Sequence, residues 1–274
     1  MGNRHDPHVR SARGAPASEG TRPEGAANET DASRKVREMF TQIAPRYDLL
    51  NHILSLQMDR MWRARTAKIL RPILERGDAK VLDLCCGTGD LAFALTRRGK
   101  ARVWGADFAH TMLVRARAKA AEARTENGAR AIPFVESDAL RLPFADGSFD
   151  LVTTAFGFRN LANYEAGLRE IRRVLKAGGT IAILEFTEAK PGWFGDLYRW
   201  YFRAVLPKIG AMISGDKSAY AYLPKSVARF FQPAELRELM SGCGFEAAEV
   251  RLWTGGTVAL HTGRKNAGVY GSEE

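Results

Sequence analysis

The sequence predicts an α/β protein built on a mostly parallel sheet. Three observations predict it. Short apolar runs suited to buried strands alternate with helical patterns through the middle of the chain. A glycine-rich turn follows the first of these runs, and an acidic residue stands at or just beyond the end of each of the first three. Alternation of this kind gives βαβ units with helices on both faces of the sheet.

The elements follow in chain order. Residues 1–32 are rich in Gly, Ala, Pro, Glu and Arg and nearly free of large apolar side chains. They are expected to form a disordered tail, because so little buried surface cannot offset the entropy of ordering. Ser33 is expected to cap a helix carrying Met39, Phe40 and Ile43 and limited by Pro45. A second helical region is expected from Met58 to Leu74. Strands are expected at Lys80–Leu84, Arg102–Ala106, Ile132–Val135, Phe149–Thr154 and Thr180–Phe186, with helices at Leu91–Arg98, Thr111–Arg124 and Tyr164–Leu175 between them. The insertion 187–232 interrupts the pattern. A helix at Ala234–Met240 then precedes two strands, Glu246–Trp253 and Thr257–Gly263, which lack a helix between them and so should pair antiparallel. The sheet would thus have seven strands, the last antiparallel, in one domain of residues 33–265 followed by a flexible tail at 266–274.

Composition narrows the function. No stretch approaches the ~20 consecutive apolar residues needed to cross a bilayer, and residues 1–30 carry no secretory apolar run. The three cysteines, Cys85, Cys86 and Cys243, are odd in number and two are adjacent. This argues against a disulfide framework and a zinc site, and for a reducing compartment. Net charge is +10, and residues 1–34 hold five arginines against five acids, so the excess lies in the folded part. Nucleic acid, an anionic membrane or an anionic ligand all suit such a surface.

The strongest motif is Val81-Leu82-Asp83-Leu84-Cys85-Cys86-Gly87-Thr88-Gly89-Asp90, an apolar strand that ends in an acid and turns through glycines into a helix. Asp107 ends the second strand, 24 residues after Asp83, where an acid reaches a ribose diol. Asp138, beside Ala139, follows the third strand and is placed to accept from an adenine amino group. Gly87, Thr88, Gly89 and these acids together point to a nucleoside cofactor. A dinucleotide fits poorly, since Asp83 and Asp90 flank the glycines and would repel a diphosphate. The same acids favour the cationic amino group and sulfonium of S-adenosyl-L-methionine. No metal site is expected.

With these residues in view, the sequence resembles the ubiquinone/menaquinone biosynthesis C-methyltransferase family over about residues 35–265. The resemblance is carried by Tyr47-Asp48-Leu49-Leu50-Asn51 with Leu54-Ser55 and Trp62, by the glycine loop, and by Ala155-Phe156-Gly157-Phe158-Arg159-Asn160. Arg173-Val174-Leu175-Lys176-Ala177-Gly178-Gly179, Glu185, and Thr254-Gly255-Gly256-Thr257 with His261 complete it. Asp59, Ala177, Thr187, Asp138 and Ala155 depart from the family's usual His, Pro, Ser, Asn and Ser. The resemblance implies a Rossmann-like class I methyltransferase fold with N-terminal helices and a helical lid. It implies C-methylation of a prenylated hydroquinone. Cys85-Cys86 and Asp107-Phe108 favour the menaquinone branch, demethylmenaquinol to menaquinol, with the benzoquinol of ubiquinone synthesis as the alternative.

Arg159, following the fourth strand, is the candidate catalytic residue, to stabilise a phenolate or to orient a water that takes its proton. Tyr47, Tyr222 and His261 are candidate substrate contacts; for His261 a buried structural role is the competing reading. The insertion, with Trp193, Phe194, Tyr198, Trp200, Tyr201 and Phe202 among Arg199, Arg203 and Lys208, suits a substrate lid at a membrane interface or an ordinary buried segment. The expected setting is the cytoplasm, peripherally bound to an anionic membrane surface, and the resemblance admits a homodimer. Nucleic acid is not an expected partner, because no polar-Pro-Pro-aromatic motif follows the fourth strand. A non-catalytic cofactor-binding subunit is the remaining alternative.

Overall fold

The computed structural model describes residues 19–48, 55, 57–127, 130–188, 192 and 218–266. The aromatic and basic residues 193–208 of the expected lid, the motif residues Leu49, Leu50, Asn51 and Leu54, and the tail beyond 266 lie outside the described residues.

The chain enters helix α1 (Glu29–Ile43), which a turn of 3-10 helix at Ala44–Arg46 follows. Its cap is Asn28, whose side chain accepts from the Asp31 amide at 2.9 Å, and not the expected Ser33. Both residues have the short polar side chain a cap needs, but Ala32 and Val36 are buried, which anchors the helix a turn earlier. The expected boundary of the disordered tail therefore falls inside α1. The second helical region divides into α2 (Met58–Ile69) and α3 (Arg71–Leu74), with Pro72 opening the new turn.

From there the βα alternation holds: β1 (Lys80–Leu84), α4 (Asp90–Thr96), β2 (Arg102–Asp107), α5 (His110–Asn127), β3 (Phe134–Glu136), β4 (Phe149–Ala155), α6 (Tyr164–Val174) and β5 (Leu175–Phe186). Then come α7 (Ser218–Arg229), α8 (Pro233–Gly242), β6 (Phe245–Trp253) and β7 (Val258–Lys265). One seven-stranded sheet runs β3-β2-β1-β4-β5-β7-β6. The first five strands are parallel, and β7 pairs antiparallel with both β5 and β6. The expected seven-stranded, mostly parallel sheet with an antiparallel last strand is the observed one.

Strand residues alternate between two cores. Val81, Leu151 and Ala182 join Trp62, Leu91 and Leu113 under α2, α4 and α5. Leu82, Val152 and Ile183 join Leu168, Leu236 and Met240 under α6 and α8. A parallel sheet buried on both faces is what makes its strands predominantly apolar; among the exceptions, Asp83, Thr153 and Glu185 are buried. The sheet order reverses between β1 and β4, and the crevice beyond the strand ends opens there.

Candidate active site

Beyond β1 the chain makes its turn with Gly87 at φ 54° and Gly89 at φ 88°. Space matters as well as backbone angle. A Cβ at Gly89 would crowd Phe93 at 3.1 Å and Phe134 at 3.2 Å, whereas one at Gly87 would make only ordinary contact with the Tyr47 ring at 3.6 Å. The acid of β2 holds this loop in place: Asp107 Oδ2 accepts from the Gly87 amide at 2.8 Å and Oδ1 from the Ala109 amide at 2.9 Å. Burial raises its carboxyl above the usual range, against the lowering effect of those amides. Asp138 Oδ1 accepts from the Leu140 amide at 2.9 Å, which presents the carboxylate beside Ala139.

These residues share one cleft of about 670 Å³, including its open mouth, at the carboxyl ends of the strands. Tyr47, Gly87, Asp107, Asp138 and Ala139 line it, with Phe156 and Leu161 among the apolar residues facing them. An adjoining recess is lined by Asp83, Thr88, Tyr47, Arg63 and Asp90. Asp83 is almost wholly buried, and the Thr153 hydroxyl donates to its Oδ1 at 3.0 Å. Its Oδ2 has no partner among the described residues. Burial pushes this carboxyl up to about 7. The Thr153 hydroxyl and the Ala92 amide act against that rise, and Oδ2 is left able to accept from a further donor.

The N-terminal motif closes over this recess. The buried Thr88 hydroxyl donates to Asp48 Oδ1 at 2.5 Å, and Lys119 Nζ reaches Asp90 at 2.5 Å and Asp48 at 3.1 Å. Arg63 pairs with Asp59 at 2.6 Å and stands 3.4 Å from Asp90. Arg63 and Lys119 were not singled out in the sequence. The spacing of Asp59 and Arg63, one turn apart on one helix face, was the available signal. Two motifs 192 residues apart also meet here, since Trp62 Nε1 donates to Thr254 Oγ1 at 2.9 Å.

Two expected site residues point elsewhere. Arg159 was expected to face the crevice. Its guanidinium instead pairs with Glu185 at 2.7 Å, donates to the Phe156 carbonyl, and lies 5.5 Å from the Phe186 ring centre. Glu185 is wholly inaccessible, and a carboxylate so placed requires a counter-charge, which Arg159 supplies. His261 sits in β7 under α8, and its Nε2–H donates to the Pro233 carbonyl at 3.0 Å. Burial lowers its pKa to about 4, so it is neutral at physiological pH. Neither lines the cleft. Tyr222 stands one layer behind it, donating to Asn160 Oδ1 at 3.1 Å, and Asn160 is a lining residue.

The fold and this site define a Rossmann-like, S-adenosylmethionine-dependent methyltransferase. The chain belongs to the ubiE/COQ5 methyltransferase family, which it matches over residues 28–265. It is 50% identical over 226 residues to a protein of Thermus thermophilus named demethylmenaquinone methyltransferase, covering 82% of this chain and 99% of that one. A protein of the same name from Deinococcus radiodurans is 45% identical, covering 87% and 95%. One from Geotalea uraniireducens, named ubiquinone/menaquinone biosynthesis C-methyltransferase, is 40% identical, covering 86% and 98%. Among solved structures, the [4+2]-cyclase SpnF superposes with a TM-score of 0.62 at 18% identity, over 91% of this chain and all of that one. An S-adenosylmethionine-dependent methyltransferase of Aquifex aeolicus gives 0.52 at 19% identity, over 72% and 88%. These two likenesses are of fold.

Proposed function

We propose that this protein methylates a ring carbon of demethylmenaquinol to give menaquinol. The observation that carries the reading is the division of the cleft at the β1–β4 reversal. Asp107 at the end of β2 and Asp138 after β3 line one side, with Asp83 of β1 in the adjoining recess, while the turn after β4 presents Phe156 and Leu161 on the other. A cationic nucleoside suits the first half, and an apolar ring the second. The names of the Thermus and Deinococcus relatives support the naphthoquinol as that ring.

S-adenosylmethionine supplies an electrophilic methyl group on a sulfonium. Asp83 would take its ammonium at Oδ2, Asp107 would accept from the ribose diol with its remaining lone pairs, and Asp138 from the adenine amino group beside Ala139. Tyr47, over Gly87, would keep water from the donor. Phe156 and Leu161 would hold the acceptor ring against the methyl, and much of the rate would come from this positioning. A carbon of the reduced, deprotonated ring would take the methyl as the sulfonium C–S bond breaks, the electron pair staying on sulfur to leave a neutral thioether, and the ring would then lose its displaced proton to water; an electron-poor quinone would not attack. Arg159 is assigned a positioning role, holding the turn of Phe156 and Asn160 through Glu185 and the Phe156 carbonyl. Peripheral attachment to an anionic membrane through the aromatic and basic residues of the insertion would bring the prenylated acceptor to the cleft.

The test is transfer of labelled methyl to a short-chain demethylmenaquinol, with and without reductant, and with the benzoquinol counterpart in parallel. Turnover of the reduced naphthoquinol is expected. Equal turnover of the oxidised quinone, or preference for the benzoquinol, would overturn the chemistry or the branch respectively.

A further inference from the structure

The described chain opens with a segment, residues 19–27, that lies before the family match, yet it is bonded to a wall of the cleft. The Gly20 amide donates to the Ala162 carbonyl at 3.1 Å and the Thr21 amide to the Leu161 carbonyl at 2.7 Å. The Arg22 guanidinium reaches the same Ala162 carbonyl at 2.7 Å. Approach here is so close that a Cβ at Gly20 would lie 2.1 Å from the Leu161 carbonyl oxygen. From the other side, α7 grips the segment: Arg229 donates to the Arg22 carbonyl at 3.3 Å, and Lys225 pairs with Glu24 at 3.2 Å. The segment is thus a strap between α7 and the turn after β4.

A chain of side chains runs from the strap to the cleft. The buried Thr21 hydroxyl is 2.8 Å from the Tyr222 hydroxyl. Tyr222 donates to Asn160 Oδ1 at 3.1 Å, and Asn160 Nδ2 donates to the Phe156 carbonyl at 3.4 Å. Tyr222 has a single proton and gives it to Asn160, so Thr21 must donate to Tyr222. The Phe156 carbonyl can only accept, so it sets the direction of the chain, and Thr21 anchors the other end by donating to Tyr222. Between the two the Asn160 carboxamide is held in one orientation, on the half of the cleft that follows β4.

We infer that Thr21 is a positioning residue for the acceptor ring: by donating to Tyr222 it holds that hydroxyl against Asn160, and the strap holds the Asn160–Ala162 wall of the cleft in place. This rests on the naphthoquinol reading above. It adds to the reaction a determinant from outside residues 28–265, over which the chain matches the family.

The experiment uses full-length Thr21→Val, Thr21→Ser and Gly20→Ala. Thr21→Val keeps the shape and removes the donor. It should raise KM for the reduced naphthoquinol roughly three- to tenfold, the reach of one hydrogen bond, while Thr21→Ser stays within about twofold of wild type. Calorimetric affinity for S-adenosylmethionine should be unchanged in both. Gly20→Ala forces the strap off the Leu161 carbonyl. It should raise KM at least as far and speed amide hydrogen exchange in residues 218–229, a readout that needs no quinol. Wild-type KM in Thr21→Val, an S-adenosylmethionine affinity that falls in step with KM, or unchanged exchange in Gly20→Ala would each overturn the inference. Failure of the wild-type protein to methylate the naphthoquinol would sink the functional reading instead, and the exchange measurement would still decide whether the strap clamps α7.

Discussion

As the proposed partner of the donor's ammonium, Asp83 should make the donor's affinity a function of pH. Its carboxyl is pushed up to about 7 by burial, with Oδ2 unpartnered, so near neutrality the ligand-free protein is a mixture of acid and carboxylate. A bound ammonium needs the carboxylate and pulls the pKa down, so binding below pH 7 must release a proton. The apparent dissociation constant then scales with the fraction protonated. From pH 7.5 to pH 6 it should rise roughly eightfold, with close to one proton released per ligand at the lower pH. Calorimetry in buffers of different ionisation enthalpy reads both quantities. Stability gives an independent check. The folded pKa stands above the unfolded 3.8, so the acid form is favoured by folding. That contribution is complete below pH 3.8 and is lost as pH rises through about 7. The gap corresponds to about 4 kcal/mol at most, from which Asn would give back about 1–3 kcal/mol for a buried amide without an acceptor. Asp83→Asn should therefore bind S-adenosylmethionine poorly, yet melt higher than ligand-free wild type at pH 8 and lose that advantage near pH 4. A dissociation constant that stays flat between pH 7.5 and 6 with no proton release, or an Asn variant less stable at pH 8, would refute the reasoning.

Three further outcomes follow from the geometry. Asp107→Ala removes the acceptor of the Gly87 and Ala109 amides as well as the proposed ribose contact, and should weaken S-adenosylmethionine binding by about 1.5–3 kcal/mol by calorimetry. Arg159→Ala leaves the wholly buried Glu185 without its counter-charge; it should cost about 3–5 kcal/mol in denaturant unfolding, and Glu185→Gln in the same chain should restore part of it. Full stability in Arg159→Ala would return that residue to a purely chemical role. Sedimentation with vesicles should find binding to anionic but not neutral lipid, weakening as salt rises; equal binding to both would remove the electrostatic part of the membrane proposal.

The sequence made the βα frame legible because burial on both faces leaves a strand few polar positions. β1 spans Lys80–Leu84, and after the exposed Lys80 its run of Val81, Leu82 and Leu84 is broken only by the buried Asp83. β5 was harder. It starts at Leu175, five residues before the expected Thr180, because Lys176-Ala177-Gly178-Gly179 reads as a turn. Pairing of Leu175 with Phe149, across an irregular register, draws that turn sequence into the strand. The strap was illegible for a related reason: its composition lacks apolar surface, and its order comes from carbonyls of Leu161 and Ala162 more than 130 residues away. Acids of the cleft could be found because strand ends converge on one edge of the sheet. The direction of Arg159 could not, since it depends on the burial of Glu185 at the end of a neighbouring strand.

The geometry also explains why charge, rather than glycine spacing, decides the ligand. Glycine loops bind diphosphates by pointing free amides at them. Here the Gly87 amide is spent on Asp107 and the Gly89 amide on the Cys86 carbonyl at 2.9 Å. Neither is left for an anion, while Asp83 keeps an unfilled acceptor in the recess beside them. A diphosphate would meet carboxylates and committed donors. A cationic amino acid group would meet the one buried group in the recess that still lacks a partner among the described residues. The same Gly-x-Gly turn thus serves a different ligand because the acid of β2 has taken the amide that a phosphate would need.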